Sequence, residues 1–285
     1  MADPGARQNR LALMDSGFRA FFLLAGIDAI ANMGLWLAAY FHPSLWPEGA
    51  IPAMYWHAHE MLFGFAGTTI GGFLLTAIPN WTGRGPYRGP ALWLLVGIWI
   101  LGRLAMLPFF SLPASLATAA SILFFPALGL TIAPALLRAR SFRNLPFLAL
   151  LLLLSLADLC FQGRFGTTAQ LGEHIGLYAG LDVILIMIAI VGGRIVANFT
   201  RGVLRQRGAS AKIASHPWIE RGAAVSLLAM VAWDMVMPLS RASGAATLVA
   251  ALIQVLRFGQ WKGPRTDQAP FSGYSTLAMA GWWWP

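Results

Sequence analysis

Charged side chains are scarce in this sequence. Lys, Arg, Asp and Glu make up 11% of the residues, against roughly a quarter in a soluble domain, while apolar residues make up 58% and the mean hydropathy is +0.64. That balance excludes an ordinary soluble fold. Cysteine is almost absent: Cys160 alone excludes an intramolecular disulfide framework and any cysteine-built zinc or iron–sulfur centre. The short alternating segments of a transmembrane β-barrel are missing as well. A cleavable leader is not expected, because the first apolar run follows 18 mostly polar residues, is interrupted by Asp28 and is not followed by a small-residue cleavage site. No linker divides the chain and no internal repeat stands out. The net charge of +9 is read as basic loops beside a lipid bilayer, not as a nucleic-acid surface.

What the sequence does have is long apolar runs. A hydrocarbon core about 30 Å thick needs about 20 apolar residues per helix; several runs meet that length, and eight hydrophobic segments are expected, the last two short: about 19–41, 56–79, 91–110, 114–137, 145–161, 174–197, 222–238 and 243–258. The expectation is an all-α, polytopic transmembrane bundle, with residues 1–18 as an N-terminal segment, 19–258 as the bundle and 259–285 as a tail. Of the 20 Lys and Arg, 17 fall on alternate connections: Arg7, Arg10 and Arg19; Arg84 and Arg88; Arg138, Arg140 and Arg143; a group from Arg194 to Arg221; and Arg257, Lys262 and Arg265. By the positive-inside rule this puts the N-terminus and the tail in the cytoplasm. Trp36, Trp46, Trp81 and Trp93 lie near the expected span ends, as an aromatic belt would.

Against that background, the ionisable residues inside the runs carry the information, because such groups usually face a bundle interior or a watery cavity. They are Asp28, His57, His59, Glu60, Arg103, His174 and Asp182. Arg103 needs a carboxylate or carbonyl partner, and by depth Asp28 and Glu60 are both candidates. In WHAHEMLFGFAG, residues 56–67, His57 and His59 stand roughly 200° apart on an ideal helix. Regular helix cannot aim both at one metal. Either the local helix is irregular, or the two serve different sites, or one ligates and the other packs. His57, Glu60 and Met61 share a face by spacing. Imidazole suits copper, iron and zinc, so His57 and His59 are candidate metal ligands, and His174, expected at the same membrane level, could complete a site. The competing reading is a proton path through His and Glu. The glycines of GFAGTTIGGF, residues 64–73, read as a helix-packing face.

The blocks WHAHEMLFGFAG and GFLLTAIPNWTGRGP (72–86), with LGR (101–103), LLRARSFRNLPFLALLLLL (136–154) and GGRIVANFT (192–200), resemble the NnrS family of bacterial membrane proteins. The resemblance covers most of residues 18 to about 270. It implies a multi-pass inner-membrane protein containing haem and copper, associated with nitric oxide, denitrification and resistance to nitrosative stress. It does not decide whether the chain is an enzyme. The matching positions include Trp56, His57, His59, Glu60, Asn80, Trp81, Arg84, Arg103, Asn144, Pro146, Arg194 and Phe199, so that Glu60, Arg103, Asp28 and Arg194 are read as polar support for ligands among His57, His59 and His174. Two departures are Gln162, where the resemblance implies a His, and Ala197, where it implies a Pro. The tail departs further. Codons for residues 272–285 read one base earlier can give an apolar helix with a His-Leu-Gly-Tyr element like that of the family, so a frameshift near codon 271 is expected. The codons of the gene test this directly.

Overall fold

The computed structural model describes residues 15–48, 50–110, 112–163, 169–206 and 216–260. Within them the chain is all helix, with no strand among the described residues. The order is α1 (Gly17–Phe41), α2 (Ala53–His59), a π-helical turn (Glu60–Ala66), α3 (Gly67–Thr82), α4 (Pro90–Ala105), α5 (Ala114–Ile122), α6 (Phe124–Arg138), α7 (Pro146–Phe161), α8 (Ala169–Gln206), α9 (Pro217–Val236) and α10 (Arg241–Gln260). Boundaries follow local chemistry. Gly83, at φ +67°, ends α3 in the left-handed conformation that an L side chain resists. Pro90, Pro146 and Pro217 each open a helix, where the missing N–H has no partner to lose.

Among the described residues, six stretches are long and apolar enough to cross a membrane: Gly17–Phe41, Ala53–Thr82, Ala114–Arg138, Phe142–Phe161, His174–Gly202 and Arg241–Gln260. Two of the eight expected segments fall short of that standard for different reasons. The 16 residues of α4 reach about 24 Å at 1.5 Å per residue, less than the hydrocarbon thickness. The 20 residues of α9 are long enough but carry Glu220, Arg221 and Asp234. The tail from 261 onwards, with its expected frameshift, and the N-terminal segment through residue 14 lie outside the described residues.

The chain divides into two compact units, residues 1–183 and 184–285. In the first, the glycine run of α3 receives aromatic rings. A Cβ on Gly67 would stand 3.0 Å from Phe125, one on Gly71 3.1 Å from Phe124, and one on Gly72 3.2 Å from Phe21. Since lipid is as apolar as Leu, such close approach, not expulsion from water, holds these helices together. Phe21, Leu74, Ile78, Leu128, Ile132 and Leu154 are fully buried there. In the second unit α9 and α10 pack against each other, joined by a short turn across which Ser243 Oγ of α10 donates to the Asp234 carboxylate of α9.

Candidate functional site

The two central histidines part company. Both lie on α2, two residues apart, and regular helix turns them to different surroundings. His59 ends α2 fully buried. Its Nδ1 lies 2.9 Å from Glu60 Oε1 and its Nε2 2.9 Å from Asp158 Oδ1. An ionised carboxylate only accepts, so with both carboxylates ionised the ring meets both partners by donating from each nitrogen.

From there the contacts close into a ring. Arg103 Nη1 donates to Glu60 Oε1 at 2.8 Å, and Nη2 donates to Ser121 Oγ at 3.4 Å. Ser121 Oγ donates to Asp158 Oδ2 at 2.8 Å. Gln162 Nε2 adds a donor to Asp158 Oδ1 at 3.3 Å. Five helical segments thus meet on one buried polar circuit: α2, the π-helical turn, α4, α5 and α7. Buried charges persist when they are paired and hydrogen-bonded, and here each is. The Gly64 carbonyl also accepts from Thr68 Oγ1 at 2.6 Å and Trp99 Nε1 at 3.4 Å. Single π-helical turns inside α-helices are rare and often mark functional sites.

His57 goes elsewhere. Its ring is half-buried and stacks on Trp36 of α1, centroids 4.7 Å apart at 23°. Its Nδ1 is buried with no hydrogen-bond partner. His174, also half-buried, sets Nε2 3.4 Å from Tyr55 Oη, with the two rings edge to face. Arg194 is half-buried on α8, in the second unit. Among the described residues, no group of three or more His, Cys, Asp or Glu is placed to hold a metal ion. A metal reaching His59 would have to displace one of its two carboxylates, whereas His57 keeps a nitrogen free.

Of the polar support, Glu60 and Arg103 fall in the circuit. Asp28 is buried beside it on α1, with Oδ2 unpartnered. The spacing argument for a shared face of His57 and Glu60 gives way here: the π-helical turn begins at Glu60, and its carboxylate turns to His59 and Arg103. Sequence reasoning passed over Asp158 and Ser121. Asp158 carried the same signal as the other candidates, a lone carboxylate in an apolar run. Ser121 carried none.

A family model described as NnrS protein matches residues 12–285. No curated protein and no solved structure matches the chain.

Proposed function

Because the chain belongs to the NnrS family, we propose that it is a bacterial inner-membrane protein that binds haem and copper and serves in the response to nitric oxide, protecting against nitrosative stress. The family match over residues 12–285 carries this reading. The free Nδ1 of His57 supports it at the level of the site, since a buried imidazole nitrogen without a donor or acceptor is a ready ligand. His57 is the residue assigned to hold the group, which when bound would offer nitric oxide a coordination position; His174, met by Tyr55 two residues earlier on α2 and so on another side of that helix, is kept as a second candidate ligand. Trp36 fixes the plane of the His57 ring by stacking. Tyr55 steadies His174 through its hydroxyl. His59 enters only by surrendering a carboxylate, so its assigned part is to anchor α2 through Glu60 and Asp158. The distribution of Lys and Arg supports eight crossings with a cytoplasmic N-terminus, α4 and α9 completing the count.

The test is an absorption spectrum with metal analysis of the detergent-purified protein. Visible haem absorption and bound copper are expected. His57→Ala should abolish the haem signal in protein that still elutes as a folded species, and His59→Gln should lower the yield of folded protein more than the haem per folded molecule. Protein free of haem and copper after expression with both supplied overturns the reading.

The buried circuit favours a second reading, a proton-coupled transporter or channel using His59 and Glu60 as relays. It predicts proton flux in proteoliposomes that Glu60→Gln removes. A structural subunit would show neither flux nor cofactor and would co-purify with a partner.

A further inference from the structure

We propose that Asp28 binds one exchangeable proton in the interior of the first unit, on a buried carboxylate that makes no ion pair among the described residues. The site does not depend on whether the chain holds haem or copper, or conducts protons.

The first observation is a count of charge. Three carboxylates, Asp28, Glu60 and Asp158, are buried together with one guanidinium, Arg103, and one imidazole, His59. With His59 doubly protonated the cluster still carries one negative charge in excess. The elements packed on α1 supply no further cation near Asp28. α3 has no ionisable side chain, the π-helical turn has only Glu60, and α4 has only Arg103. The 3₁₀ turn at 43–45 has none either. On α2, His57 is stacked on Trp36, eight residues along α1 and so about 12 Å from Asp28 along the axis. Arg19 lies nine residues away in the other direction, about 13 Å. An unbalanced charge at this depth is costly, and a proton removes it.

The second observation is geometric and independent. Asp28 is 7% exposed, and its Oδ2 makes no hydrogen bond. That oxygen and Glu60 Oε2 each lie 3.2 Å from the point where a Cβ on Gly64 would stand. Two carboxylates are therefore gathered on the space that Gly64 leaves open, beside a single guanidinium whose Nη1 donates to Glu60; where two carboxylates share one cation, one of the pair keeps a proton. Glu60 is already held as an anion by Arg103 and His59, which leaves Asp28 as the protonated member. A metal cation is disfavoured at the same place, because Arg103 Nη1 stands 2.9 Å from that point.

Infrared difference spectroscopy of the full chain in lipid nanodiscs, stepped through pH, tests this. At neutral pH one protonated-carboxyl C=O band is expected, shifting in D2O and fading as pH rises. It should disappear in Asp28→Asn and persist in Glu48→Gln, which alters an exposed loop carboxylate. Should Asp28→Asn fail to fold, carboxyl-labelled aspartate in the unmutated chain should move the band and labelled glutamate should leave it. Absence of a protonated-carboxyl band overturns the proposal. So does a band that survives Asp28→Asn, one that ignores the aspartate label, or one that is lost on adding sodium at fixed pH.

Discussion

Each of the two units seats an arginine against a glycine inside apolar helices, and the two arginines are provided for differently. Arg103 faces Gly64, binds Glu60 and Ser121, and belongs to a circuit whose His59 and Asp158 side chains are 0% exposed. Arg257 faces Gly193, binds Glu220 at 2.9 Å and the Ala189 carbonyl at 3.0 Å, but Glu220 is 34% exposed. In the circuit of the first unit each charge answers another charge in a sealed interior. In the second, a backbone carbonyl and a partly exposed carboxylate share one guanidinium. The difference teaches that the presence of an intramembrane arginine says less than the burial of its partners, because only a sealed partner leaves an uncompensated charge when it is removed.

The largest effect should therefore come from Asp158→Ala. It deprives His59 Nε2, Ser121 and Gln162 of their acceptor at once. Removing one partner of a buried pair costs about 3–5 kcal/mol, so a large fall in detergent thermal stability, or loss of folded protein on gel filtration, is expected. An Asp158→Ala protein as stable as the parent would show that the circuit does not hold the first unit together.

Gly64→Ala comes next. The added Cβ would stand 2.9 Å from Arg103 Nη1, which cannot retreat without releasing Glu60. Overpacking of this kind costs about 1–3 kcal/mol. The parallel change Gly193→Ala also crowds a guanidinium, that of Arg257, but the end of that side chain has a partly exposed partner and can move. Thermal melts of the two variants should rank Gly64→Ala as clearly the more damaging. Equal losses would mean that the sealing of the first arginine is not what distinguishes the units.

The parts of this architecture that the sequence made legible are those set by composition and local spacing. Apolar runs located the helices, and the glycines of 64–73 located a packing face that receives Phe21, Phe124 and Phe125. The roughly 200° between His57 and His59 left convergence through an irregular helix open, and the regular α2 turns the two rings to different surroundings. Arg103 was seen to need a carboxylate, yet the choice of Glu60 over Asp28 depends on the π-helical turn, which no residue pattern announces. The pairing of His59 with Asp158 joins residues 99 apart, and Ser121, which closes the circuit, is an ordinary small polar residue until the helices meet. Arg257, grouped by charge with the cations of the tail and inside the expected 243–258 segment, lies in the last turn of α10, paired with Glu220 at the start of α9, a contact that only the packing of α9 against α10 creates.

That last pair gives the smallest expected effect. Glu220→Gln keeps the length of the side chain and an acceptor oxygen, so Arg257 retains a hydrogen bond there in addition to its bond to the Ala189 carbonyl. What is lost is the charge on a carboxylate that is already one-third exposed, together with its favourable position in the first turn of α9. Exposed ion pairs contribute about 0.2–1 kcal/mol and weaken with salt. The variant should accordingly melt within a few degrees of the parent at low ionic strength, and the gap should narrow as salt is added. A large loss that salt does not diminish would show that Glu220 is sealed in the folded protein as Asp158 is, and the contrast between the two arginines would disappear.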